Sequence, residues 1–155
     1  LFTPLGGPSQ TAGLSQGAFA GLTLAHTRSD MSRAILEGTA FEVRWALENL
    51  QAANMPVEEL WIAGGATKSP VWPQILADVS GVPIVLADYP SWAALGAAVL
   101  AGWGVGAFPT LAEGVDRLRP PVRRLEPDFS LAPTYRTAFE RYQKLVHRLA
   151  SDQGG

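Results

Sequence analysis

Cysteine is absent from the chain. No disulfide framework can form without it and no thiolate can hold zinc; a reducing, cytoplasmic setting is the expectation. Histidine is nearly absent too. His26 and His147 stand too far apart in sequence for any metal-ligand spacing, so no metal site is assigned. Nor does either sign of charge dominate: 12 basic against 14 acidic residues give a formal net charge of -2. No surface for polyanions is advertised, and nucleic acid is set aside as a partner. The longest apolar run, around 93–101, is short and alanine-rich, which excludes a membrane span of the usual length. No signal peptide is expected from these residues, and they show no internal repeat and no low-complexity tract. What remains is a globular composition, with 47% hydrophobic residues in 155, enough for one domain with a real core. The chain begins Leu1-Phe2 rather than with methionine, and reads as a piece of something longer.

Residues 59–78, ELWIAGGATKSPVWPQILAD, organise the rest. They predict a short buried strand (60–63), a tight turn at Gly64-Gly65, and a helix starting near Ser69-Pro70. Serine can cap a helix and proline is tolerated in its first turn. A glycine turn feeding a helix start can hold an anion, because no Cβ keeps the ligand off the backbone and free N–H groups face it. A plain connection between strand and helix explains the same residues equally well.

Around this centre the pattern alternates. Residues 1–16 read as loop and 17–24 as a short strand or extended turn. A long helix follows from Met31 to about Gln51, capped by Ser29 or Asp30, with Met31, Ala34, Ile35, Gly38, Phe41, Trp45 and Leu50 as its apolar stripe. Gly81 and Pro83 stop the next helix, 84–86 suit a buried strand, and Ser91 caps a small-residue helix over 92–102. Residues 107–131 are expected to be irregular, and 132–150 to form an amphipathic helix striped by Tyr135, Phe139 and Tyr142. Such an order argues an α/β fold, a short mixed sheet flanked by helices with a helix at the C-terminal end.

Gly64, Gly65, Ala66 and Ser69 are the first candidates for a nucleotide contact. Gly96-Ala97-Ala98 are either a close-packing helix face or a wall beside a purine. Asp30, Glu37 and Asp78 are the carboxylates that acid–base chemistry could draw on, yet a cap, a helix face and a turn account for them, and no catalytic residue is assigned. His26, Thr27 and Arg28 read as a solvated loop. Trp45, Trp61 and Trp72 are expected in the core.

The stretch 17–37, GAFAGLTLAHTRSDMSRAILE, resembles the second signature of the FGGY carbohydrate kinases, through Gly17, Phe19, Gly21, Leu22, Asp30, Met31, Ala34, Ile35, Leu36 and Glu37. GLTLAHTR with RAILEG is most similar to the xylulokinase-like branch. IAGGATKSPVWPQILAD resembles the family's adenosine- and phosphate-binding turn, and ALGAAVLA its next helix. The resemblance implies a partial actin-like, ribonuclease H-like ATPase domain: 1–155 as an incomplete C-terminal kinase domain, with 17–106 its nucleotide-binding core and 107–131 a linker. It implies ATP, with Mg2+ carried on the ATP phosphates, and ADP as product. By motif position Gly64, Gly65, Ala66 and Ser69 meet the nucleotide, Ser69 standing where some members have asparagine. The implied reaction moves the γ-phosphoryl group to a sugar hydroxyl, D-xylulose by similarity. The base and most sugar contacts belong to an N-terminal part outside this chain, so the chain alone is expected to be inactive. The other reading is a non-catalytic actin-like module that binds nucleotide or associates with itself as a homodimer through an open sheet edge.

Overall fold

A computed structural model describes residues 2–3, 17–87, 89 and 91–152. Strands β1 (Phe2–Thr3) and β2 (Ala18–Phe19) pair antiparallel. The rest of the loop expected over 1–16 lies outside the described residues. Helix α1 (Arg28–Ala52) follows. Its N-cap is Thr27, not Ser29 or Asp30: the Thr27 side chain accepts from Asp30 N–H while the Asp30 carboxylate accepts from Thr27 N–H. Asp30 is thus the reciprocal half of a capping box. The stripe buries Gly38, Phe41 and Trp45, together with Ala40, whereas Ile35 and Leu50 near its two ends stay exposed.

The main sheet is small and mixed. Strand β3 (Leu60–Ile62) runs parallel to β4 (Ile84–Leu86), and β5 (Arg123–Leu125) returns antiparallel on the far side of β4. The central β4 is buried along its whole length, which its continuous apolar run Ile84-Val85-Leu86 requires. The segment 17–24, expected as a short strand or extended turn, contributes β2, which pairs with β1 and not with the main sheet.

Between β3 and β4 lie a 3-10 turn (Gly64–Lys68) and helix α2 (Trp72–Ser80). The helix starts three residues later than Ser69-Pro70, because that pair is spent linking turn to helix, and Pro73 occupies the tolerated first turn. Gly81 ends α2 in the left-handed region at φ 74°, as its position before Pro83 implied.

After β4, Ser91 caps α3 (Trp92–Gly104) by accepting from Ala94 N–H. Residues 107–131, expected to be irregular, contain α4 (Leu111–Leu118) as well as β5, so that expectation is corrected. Helix α4 has its own cap, Thr110, and leans on α3 through Phe108, which lies against Gly102 and Gly114. The glycines matter here because any Cβ at Gly102 would fall 2.4 Å from the Phe108 ring. Helix α5 (Ala132–Asp152) closes the fold.

The core joins α1, α2, β4 and α5. Tyr135, Phe139, Tyr142 and Val146 form the buried stripe of α5 and meet Phe41 and Trp45 of α1. Four aromatic rings interlock there: Phe41 lies 5.8 Å from Phe139 and 5.3 Å from Tyr142, and Trp45 stands edge-on to Phe139 at 6.1 Å. Burying each such side chain stabilises by about 1.5–3 kcal/mol, and well-oriented ring pairs add about 0.5–1.5 kcal/mol. Leu60 and Ile62 turn toward this core, so strand alternation sends Trp61 to the opposite face of the sheet. It is 53% exposed there, its indole N–H donating to Glu59, and the expectation of a core tryptophan fails at this position.

Candidate nucleotide site

The 64–68 turn stands at the carboxyl end of β3, beside that of β4. The Ala87 N–H donates to the Ile62 carbonyl, fixing where the two strands end. Ala63 precedes the turn in extended conformation and supplies no side-chain cap, and Gly64 enters it at φ 76°, where a Cβ is unwelcome. The first N–H groups of such a turn have no acceptor within it. An ideal Cβ built on Gly64 or Gly65 would meet nothing within 4 Å. The space over both residues is therefore open, and the backbone can be approached closely there.

One side-chain and one backbone hydrogen bond brace the turn. Thr67 donates its hydroxyl proton to the Gly64 carbonyl (2.7 Å), and Ser69 N–H donates to the Ala66 carbonyl (3.3 Å). The Ser69 hydroxyl accepts from Trp72 N–H at 3.1 Å, so Ser69 satisfies the first turn of α2 even though the helix begins later than expected. Gly64, Gly65, Ala66 and Ser69 are thus brought together on one short connection, with Ala66 and Ser69 half-buried and the glycines exposed. A glycine cradle with open space above it has room for an anion, whose oxygens the backbone N–H groups would face.

The wider surroundings include residues that the sequence did not single out. A cavity of about 340 Å3 next to the turn is lined by Thr67, Leu86, Pro121, Val122 and Arg123. Gly96, from the small-residue helix, lines a different apolar cavity of about 310 Å3 with Trp61, Trp92, Leu95 and Val115.

The remaining candidates are engaged in structural bonds. Asp30 accepts from both the N–H and the hydroxyl of Thr27, and the N–H bond is the main reason its carboxyl is held below the usual range. Arg33 binds Glu37 (2.8 Å) and donates to the Tyr135 hydroxyl (2.9 Å). Asp78 accepts from Gln74 and from Asp128 N–H, a bond to a neighbouring turn. The Thr23 N–H donates to His26 Nδ1 at 3.0 Å, and the Thr23 hydroxyl lies 2.8 Å from the same nitrogen. His26, Asp30, Arg33 and Glu37 share a cavity of about 260 Å3, but no two of them are arranged as a nucleophile and its base.

The chain is thus an α/β domain with an open glycine turn at the end of its parallel strand pair. The chain belongs to the FGGY family of carbohydrate kinases: residues 11–105 match the model of that family's C-terminal domain. It is 37% identical over 139 residues to L-xylulose/3-keto-L-gulonate kinase of Escherichia coli (strain K12), an alignment covering 89% of this chain and 28% of that protein. The fold matches a ligand-bound xylulose kinase from Lactobacillus acidophilus with a TM-score of 0.82 at 28% identity, over 99% of this chain and 32% of the other. A Plasmodium falciparum glycerol kinase, solved with ADP, matches with a TM-score of 0.69 at 28% identity, over 86% of this chain and 27% of the other. The chain spans about a third or less of the length of these relatives.

Proposed function

We propose that this chain is the ATP-binding part of a sugar kinase, with Gly64, Gly65, Ala66 and Ser69 holding the nucleotide and 17–106 forming the nucleotide-binding core. The observation that carries the reading is the open glycine turn, which lies inside the stretch matched to the family. Phosphoryl transfer depends on positioning and charge neutralisation, and backbone N–H groups over an open cradle serve both. Mg2+ would ride on the nucleotide phosphates, the reaction would take place in the cytoplasm, and the sugar would be a ketose such as D-xylulose. The similarity to an L-xylulose kinase and a xylulose kinase supports that choice of acceptor. Because the chain spans about a third or less of these relatives, and the base is expected in a part outside it, the chain alone is expected to turn over no sugar; measurable phosphoryl transfer by it would refute that statement.

Calorimetric titration with ADP and MgATP, repeated on Gly65→Val, tests the site. Gly65 has no left-handed φ and a Cβ there meets nothing within 4 Å, so the substitution strains neither the backbone nor that contact. Binding by the parent chain that the valine abolishes is expected. Equal binding by both proteins would move the nucleotide elsewhere.

Self-association is a second reading, favoured by one observation. Helix α3 carries no charged residue along its 13 positions, and Leu100, Trp103 and Val105 at its far end are exposed. Light scattering over a concentration series separates a dimer from a monomer.

A further inference from the structure

We propose that Arg123 is a phosphate-pairing residue for the nucleotide held on the 64–68 turn. The inference rests on the nucleotide reading above and extends it to a strand outside the matched stretch 11–105. Register places the residue. Ile62 pairs with Leu86, and Leu86 with Arg123, so the three form the last rung of the sheet at the carboxyl ends of the parallel strands. Gly64 follows Ile62 by two positions, and Thr67 of the same turn shares a cavity with Leu86 and Arg123.

Alternation separates the two arginines of β5. Arg124 lies in the Trp61–Val85 row, where its guanidinium is taken by Glu59 and Glu126. Arg123 belongs to the other row and faces the cavity. Arg117 and Arg119 nearby are also spent, on Glu113 and Asp116. Arg123 is exposed and has no carboxylate partner among the described residues, and it shares its cavity with Thr67 of the turn. An anion bound over the turn supplies that partner. Guanidinium offers two parallel N–H donors to phosphate, a match that lysine cannot reproduce. The cavity of about 340 Å3 leaves room for a phosphate between Arg123 and Thr67, whose hydroxyl proton is already committed to Gly64.

The chemistry predicts selectivity by charge. Adenosine, with no phosphate, gains nothing from Arg123; ADP and ATP do. Titrations of the chain with adenosine, ADP and MgATP, at low and high salt, therefore read the contact directly. Arg123→Gln is expected to weaken ADP and MgATP about tenfold, to leave adenosine unchanged and to flatten the salt dependence, with no change in melting temperature. Arg123→Lys is expected to fall between, keeping the charge and losing the fork. Equal weakening of adenosine and ADP, or a lowered melting temperature, would show a structural role and overturn the proposal. If the parent chain binds ADP and Gly65→Val abolishes it, yet Arg123→Gln matches the parent, the nucleotide site stands and this inference alone falls. If the parent chain binds neither ADP nor MgATP, both fall.

Discussion

Replacing Tyr142 by phenylalanine removes one oxygen atom from the middle of the core. The side chain is fully buried, and its hydroxyl donates to the carboxylate of Glu42, itself buried on α1. The ring contacts survive the change: Phe41 at 5.3 Å, Trp45 edge-on at 6.4 Å, and the stacked Phe139 at 6.5 Å. What is lost is a donor to a buried carboxylate, and its removal costs about 1–3 kcal/mol. For a chain of this length that corresponds to a fall in melting temperature on the order of 5 °C. A pH dependence accompanies it. Burial first, and the Glu42 carboxylate second, raise the Tyr142 phenol above its ordinary value of 10.0. Because the folded value is the higher one, the contribution is whole below pH 10 and drains away as pH rises beyond it, where the unfolded phenol ionises and the folded one does not. Urea unfolding at neutral pH and again above pH 10 should therefore show the parent more stable at first and the gap closing in alkali. A variant as stable as the parent at neutral pH, or a gap that holds constant into alkali, would refute the account.

The Thr27→Ala variant loses the cap of α1 and should be about 1 kcal/mol less stable at neutral pH. Its deficit narrows in acid: the Asp30 carboxyl lies below 3.8 in the folded chain, so its contribution is present above that value and lost as pH falls through the folded one, as circular-dichroism melts at pH 3 and 7 would show. Gly102→Ala presses a methyl group into the Phe108 ring and should cost about 1–3 kcal/mol. Adding Phe108→Ala should make the two effects non-additive in a double-mutant cycle, and strict additivity would deny the contact.

Much of the fold was legible because its signals are local. The α5 stripe recurs at helical spacing, Gly81 before Pro83 is a stop signal, and Ser91 sits where a cap belongs; each needs only a few neighbouring residues. The short α4 and β5 were not legible for the opposite reason. Two prolines at 120–121 suggested loop, and Arg123-Arg124-Leu125 has no apolar run; it becomes a strand only because β4 presents a free edge to it. Trp61 shows the same limit, since its residue type says core while the pleat puts it on the far face. At the site, the glycine turn was readable from its composition. The cavity that joins Thr67 to Arg123 spans more than fifty residues of sequence, and only the antiparallel return of β5 brings its two sides together.

The clasp between α1 and α5 has a consequence for how the chain comes to be folded. Tyr142 reaches Glu42 across 100 residues and Arg33 reaches Tyr135 across 102, so the aromatic cluster is assembled by long loop closures. A ribosome releases α1 first, and Phe41 and Trp45 then wait, exposed to water and to other nascent chains, until residues 135–146 have emerged. The stretch matched to the family, 11–105, is consequently a unit of ancestry and not a unit of folding: cut there, it would lack the helix that covers its own core.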